Sequence, residues 1–224
     1  MSRFRRPPPT SPDDAGIVEL IASLGQQLEI PKLDVREVRW SKIVPVSRAA
    51  VPIPSDWCFL VRHAIAMPAR MMGKLTIEEW RPLIASSVLF QKKLRRSVDR
   101  RWWLYILLLT FLVLVGSTAV DVILRIYWIS LIILLMVFPV IIVGNRHYGP
   151  YLKKARLDAD TQASVLTGKE PFLEVLRKID TMRQGDAEMT NAEKRSRRPL
   201  SLPTLAERID NLQGIASTAN SETT

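Results

Sequence analysis

The sequence predicts an α+β, mostly helical protein in which a two-helix transmembrane hairpin is inserted into a cytoplasmic domain. Three observations predict it. Residues 102–143 hold two long apolar runs, and apolar residues recur at helical spacing in five other segments. Between 32 and 67 the chain is instead rich in Val and Ile and punctuated by Pro45, Pro52 and Pro54, which favours short strands. The chain divides accordingly into a disordered arm (1–12), the amino-terminal half of the cytoplasmic domain (13–101), the hairpin (102–143), the carboxyl-terminal half (144–213) and a disordered tail (214–224).

The arm is basic and Pro-rich, with Arg3, Arg5 and Arg6, and has no apolar periodicity. No secretory signal peptide is read in it, because no apolar stretch follows its charges. Ile17, Leu20, Ile21, Leu24 and Leu28 then share one helical face, with Asp13 and Asp14 suited to a first turn, so 14–28 is an amphipathic helix packed on its own domain. After the strands, Thr76-Ile77-Glu78-Glu79 has the form of a capping box. Trp80, Leu83, Ile84, Val88 and Leu94 carry the helix it opens to about Val98, close to the membrane.

Trp102 to Val120 has no charged residue over about 28 Å of helix, near the hydrocarbon thickness of a bilayer. Val122 to Val143 follows, interrupted by Arg125, which can snorkel, and by Pro139. Ser117–Asp121 leaves room for a tight turn between them. A soluble core large enough to bury both runs is beyond a chain of 224 residues. Trp102, Trp103, Tyr105, Tyr127 and Trp128 sit near the ends as interfacial aromatics do. Lys92, Lys93, Arg95, Arg96, Arg100 and Arg101 precede the hairpin, and Arg146, Lys153, Lys154 and Arg156 follow it. By the positive-inside rule both termini face the cytoplasm.

Beyond the hairpin, Leu152–Leu166 reads as a helix with Ala155, Ala159 and Ala163 on one side for close packing, stopped by Gly168. Pro171–Arg183 is a second, with Phe172, Val175, Leu176, Ile179 and Met182 along one face. A polar loop at 185–198 leads to a short helix at Thr204–Leu212.

Charge and cysteine use narrow the partners. The net charge of +10 is concentrated beside the apolar runs, which implies a bilayer with anionic lipids as partner. Nucleic acid is not an expected partner, because no recognisable motif interleaves aromatics with these cations. Cys58, the single cysteine, can form no internal disulfide and fits a reducing compartment. His63, His147, Cys58 and Asp160 show no metal-ligand spacing, and no Gly-x-Ser-x-Gly or Ser-x-x-Lys surrounds Ser86 or Ser87.

Four stretches carry a resemblance: Lys74-Leu75-Thr76-Ile77-Glu78-Glu79; Leu83 to Phe90; Ala155-Arg156-Leu157-Asp158-Ala159-Asp160 with Leu166-Thr167-Gly168 and Leu173 to Ile179; and Ser201-Leu202-Pro203-Thr204-Leu205-Ala206-Glu207-Arg208-Ile209. In their order around a hairpin they resemble the HtpX-type integral-membrane zinc metallopeptidases, relatives of CAAX prenyl proteases. The resemblance covers most of 14–213 and implies a metallopeptidase-like cytoplasmic domain. It also implies a zinc site in which His-Glu-x-x-His on one helix is joined by a Glu from a helix after the hairpin.

Here Ser86 stands at the first His, Ser87 at the Glu, Phe90 at the second His and Arg156 at the ligand Glu, while Leu202 replaces a later His. Neutral Ser is a poor zinc ligand, Phe has no donor atom, and Arg places a cation where a dication would sit. The expectation is therefore no metal, no cofactor and no catalytic residue. Arg156 is expected to pair with Asp158, Asp160 or Glu79 where the metal would tie two helices together. What remains is a protein that binds: a partner or regulator of a membrane protease, or a holder of membrane-protein segments. A hairpin membrane protein with an assembly role and a divergent membrane peptidase stay open beside it.

Overall fold

A computed structural model describes residues 11–30, 33–46, 49–124, 128–185 and 202–221. Within these, side chains are described except at 44–46, 49–52, 109, 113, 114, 117–124, 128–147, 185 and 215–221. The fold is mostly helical with a small sheet, an α+β arrangement.

Helix α1 (Asp14–Gln27) buries Ile17, Ile21 and Leu24, and its Asp14 carboxylate accepts a hydrogen bond from Trp40 Nε1 at 2.8 Å. That bond ties the helix start to β1 (Glu37–Ser41), which runs parallel to β5 (Ala64–Pro68), itself antiparallel to β4 (Phe59–Val61). The sheet order is β1-β5-β4, and β2 (Ile43–Val46) with β3 (Ala49–Pro52) forms a separate antiparallel pair. The central strand β5 is buried along its whole length, as expected of Ala-Ile-Ala-Met-Pro between two neighbours and the helices.

Helix α2 (Ile77–Val88) starts at the expected capping box: Glu79 N donates to Thr76 Oγ1 and Thr76 N donates to Glu79 Oε2. It does not continue as one regular helix to Val98. A π-helical turn, Leu89–Leu94, follows, and α3 (Arg95–Leu124) begins after it. The wider turn puts the Gln91 amide on the edge strand: Leu60 N donates to Gln91 Oε1 at 2.9 Å and Gln91 Nε2 donates to Cys58 O at 2.8 Å.

The tight turn expected at Ser117–Asp121 is not there. Helix α3 runs through it to Leu124, because Ala119, Val120, Val122 and Ile123 supply no breaker, and α4 (Trp128–Thr167) follows. The two helices pack against each other and are joined near their base by Tyr148, whose hydroxyl donates to Asp99, and by Trp102 against Tyr148 at 5.5 Å. Leu152–Leu166 is likewise not a separate helix but the last part of α4, which passes through Gly149-Pro150 unbroken. Gly168, at φ +88°, ends it in the left-handed conformation that favours glycine.

Helix α5 (Lys169–Gly185) buries Phe172, Leu173, Val175, Leu176 and Ile179. Helix α6 (Leu205–Ser221) opens on a second capping box, Thr204 with Glu207. Its backbone runs to Ser221, past the end expected at Leu212 and into the expected tail; Ala216 and Ala219 sustain helix there. One core joins both sides of the α3–α4 excursion, from Ile17 and Val38 through Leu83 and Ala159 to Leu176 and Leu212. The buried Ala155, Ala159 and Ala163 let α2 and α4 approach closely.

Among the described residues no helix is long and apolar enough to cross a membrane. The second expected span, Val122–Val143, and Arg146 lie outside the described side chains, as do Tyr127 and Trp128. Residues 1–10 of the expected arm, and the expected loop from 186 to 198, lie outside the described residues.

Candidate functional site

Ser86 and Ser87 sit in the last turn of α2, and Phe90 is the second residue of the π-helical turn, so the three share the helix side that faces α4. Arg156, from α4, meets them there. All four are buried, and Ser86, Ser87 and Arg156 have no solvent exposure at all. The four positions singled out from the sequence are thus one cluster.

What fills the space between them is charge. Asp160, one turn after Arg156 and also fully buried, accepts from Ser86 Oγ on Oδ1. Arg208 of α6 grips the same carboxylate with both edges of its fork, Nε to Oδ2 at 2.7 Å and Nη2 to Oδ1 at 2.9 Å. Its remaining arm, Nη1, donates to Asp56 Oδ2 at 2.6 Å and to the Asp56 carbonyl at 2.9 Å. Bidentate pairing of this kind is among the strongest side-chain contacts a protein makes. Burial lowers the proton affinity of Arg208, but Asp160 and Asp56 outweigh it and hold the guanidinium more firmly charged than usual.

Arg156 is held differently. Its Cζ lies 3.6 Å from the centre of the Trp57 ring and 5.7 Å from that of Phe90, and those two rings meet edge to face at 5.4 Å. The guanidinium is therefore seated chiefly by π-faces, a contact of about 2 kcal/mol when desolvated. Its polar contacts are weaker: Nη2 donates to Ser87 Oγ at 3.5 Å, and Nε is 3.8 Å from Asp160 Oδ1, while Nε and Nη1 have no hydrogen-bond partner among the described residues. Burial, and then the charge of Arg208, lower its pKa to about 9 against the pull of Asp160 and Asp56, which leaves it cationic at neutral pH.

Of the three carboxylates expected to pair with Arg156, only Asp160 comes near. Asp158 is exposed, and Glu79 pairs with Lys178 at 2.5 Å. Ser87 Oγ also accepts from Cys58 N at 3.4 Å, and the Cys58 thiol, in full burial, is pushed up to about 12. His63 is exposed and pairs with Asp34 at 3.1 Å, and the side chain of His147 lies outside the described ones. Among the described residues no group of His, Cys, Asp or Glu could hold a metal ion. Leu202 is half-buried and packs on the main core.

Sequence reasoning missed Arg208, Asp56 and Trp57 as members. Arg208 and Asp160 both lie in stretches that carry the resemblance, which was a signal for position and not for role. Asp56 and Trp57 arrive from the loop before β4 with no local motif to mark them. Among the described residues the arrangement brings together two cations, Arg156 and Arg208, and two carboxylates, Asp56 and Asp160. These contacts tie the loop at 56–58, α2, α4 and α6 together.

The candidate membrane-interface residues occupy the π-helical turn and the start of α3. Lys93, Arg95, Arg96, Arg100, Arg101 and Trp103 are exposed, and Lys92 and Trp102 are half-buried. Further along α3 the exposed side chains are mostly apolar, with Leu107 66 %, Phe111 62 % and Leu112 67 % exposed and Thr110 among them. No family model, curated protein or solved structure matches the chain.

Proposed function

We propose that this protein is a catalytically inactive membrane protein, resembling the HtpX-type metallopeptidases, that acts by binding. Its role is as a partner or regulator of a membrane protease, or as a holder of membrane-protein segments. The observation that carries the reading is the Arg156 guanidinium, fully buried on Trp57 beside Asp160, at the position where the resemblance asks for a metal-binding carboxylate. A dication brought there would meet two arginines and no free ligand. The packing of α2 on α4 also supports a peptidase-like layout over an unrelated hairpin, which needs no such contact.

In this reading the protein is integral to the membrane, with α3 and α4 as a two-span hairpin and both termini in the cytoplasm. The exposed apolar flank of α3 supports it, since side chains such as Leu107, Phe111 and Leu112 presented together to water invite aggregation. The test is a cleavage assay on the full chain in vesicles that also contain an unstructured membrane-protein segment, with and without a chelator. The expected result is an uncut segment that co-purifies with the protein. Chelator-sensitive cleavage would overturn the reading.

A further inference from the structure

We propose that the stretch Lys92–Arg101, together with the aromatic residues just beyond it, is a binding site for the headgroups of anionic phospholipids. The proposal rests on the membrane reading and adds to it which lipid is recognised and by which residues.

Three layers follow one another along α3. The first is cationic. Lys93, Arg96, Arg100 and Arg101 are exposed, and among the described residues only Arg95 of this group has an ion pair, with Asp99 at 3.7 Å. Asp99 is the sole acidic residue between Glu79 and Asp121, and it also accepts from Tyr148, so the cations have no matching countercharge on the helix. The second layer is aromatic: Trp102 stacks on Tyr105 at 6.1 Å and touches Tyr148 of α4 at 5.5 Å, with Trp103 and Tyr105 exposed. The third is the exposed apolar flank from Leu107 to Val115.

Lengths agree with a bilayer. The headgroup region adds about 5–7 Å to each side of the hydrocarbon. If Trp103 and Tyr105 mark the hydrocarbon boundary, the helical rise places Arg100 and Arg101 about 3–5 Å outside it and Arg96 about 10 Å outside. All lie at or within reach of phosphate and serine groups, close to one Debye length of the surface. Nucleic acid is the less favoured partner for the same cations, because the exposed aromatics Trp103 and Tyr105 lie between the cations and an apolar surface rather than interleaved with the cations.

The experiment is flotation of the full chain, synthesised in the presence of vesicles. One set contains phosphatidylcholine alone and the other includes about 30 mol % phosphatidylserine, an anionic fraction that gives a clear surface potential. The expected result is at least about tenfold higher capture by the anionic vesicles, with most of that ratio lost in high salt. It should also be lost in a variant combining Lys93→Gln, Arg96→Gln, Arg100→Gln and Arg101→Gln, all exposed side chains with no ion pair among the described residues. Equal capture by both vesicles overturns the headgroup site while the membrane reading stands. Capture by neither overturns the membrane reading itself. A single-stranded oligonucleotide that binds as tightly as the anionic vesicles, and is lost in the same variant, overturns lipid as the occupant.

Discussion

Two regions of this molecule invert the usual distribution of polarity, in opposite directions. In the body, Arg156, Arg208, Asp160, Ser86 and Ser87 are fully buried, whereas along α3 Leu107, Phe111 and Leu112 are mostly exposed. Burial of charge is tolerated where opposite charge and hydrogen bonds surround it, and Arg208 meets that condition with four short bonds. Exposure of a long apolar flank is tolerated where the surrounding medium is not water. The first inversion is solved within the chain. The second is not solved among the described residues, and it is the one the proposed membrane setting would account for.

The sharpest way to break this comparison is to remove the charge that balances the body. Arg208→Ala leaves the Asp160 and Asp56 carboxylates buried without their main partner, and a loss of about 3–5 kcal/mol is expected in denaturant unfolding of the detergent-solubilised chain. A loss below about 1 kcal/mol would mean the cluster is wetter than its geometry implies. Next in size, Leu107→Arg puts a charge on the apolar flank. Membrane insertion should become less favourable by about 2.5–3.5 kcal/mol, read as a drop in the fraction resisting alkaline extraction. Improved solubility with unchanged extraction would place that flank in water.

Within the cluster the two arginines should separate. Arg156→Met keeps an apolar stem on Trp57 and removes few hydrogen bonds, so stability should change by no more than about 1 kcal/mol. Ser86→Ala, by contrast, deletes a bond to a buried carboxylate and should cost about 1–3 kcal/mol. Equal effects of Arg156→Met and Arg208→Ala would remove the distinction between a π-seated and a fully paired cation. The smallest effect concerns pH. Folded Cys58 keeps its proton to about 12 whereas its ordinary value is 9.0, so the stability it contributes is intact below pH 9 and lost as pH rises toward 12. Wild type should therefore lose more thermal stability than Cys58→Ala between pH 8 and pH 10, and native Cys58 should resist alkylation at pH 8.

Much of the fold was legible because its signals are local. The Thr76–Glu79 box, the Ile17, Ile21 and Leu24 face and the Gly168 stop each depend on residues within a turn or two, and each is where the periodicity put it. Boundaries failed where a helix had no breaker: α3 crosses Ser117–Asp121, and α4 absorbs Pro150 because its flanks hold the helix. The π-helical turn has no sequence mark at all; it is settled by Gln91 meeting the edge of β4. At the site, Ser86, Ser87, Phe90 and Arg156 were singled out by position on two helices, and the structure brings them together. The pairing of Asp160 with Arg208 across 48 residues, and of Arg208 with Asp56 across 152, is a tertiary choice that no local pattern encodes.

Whether the Arg156 guanidinium takes the place of a metal can be read from the zinc content of the full chain, purified in detergent without chelators. Elemental analysis should find far less than one zinc per chain, and added zinc should leave thermal stability unchanged. One zinc per chain, lost together with stability on chelation, would contradict that replacement and turn attention to His63, His147 and Cys58 as ligands.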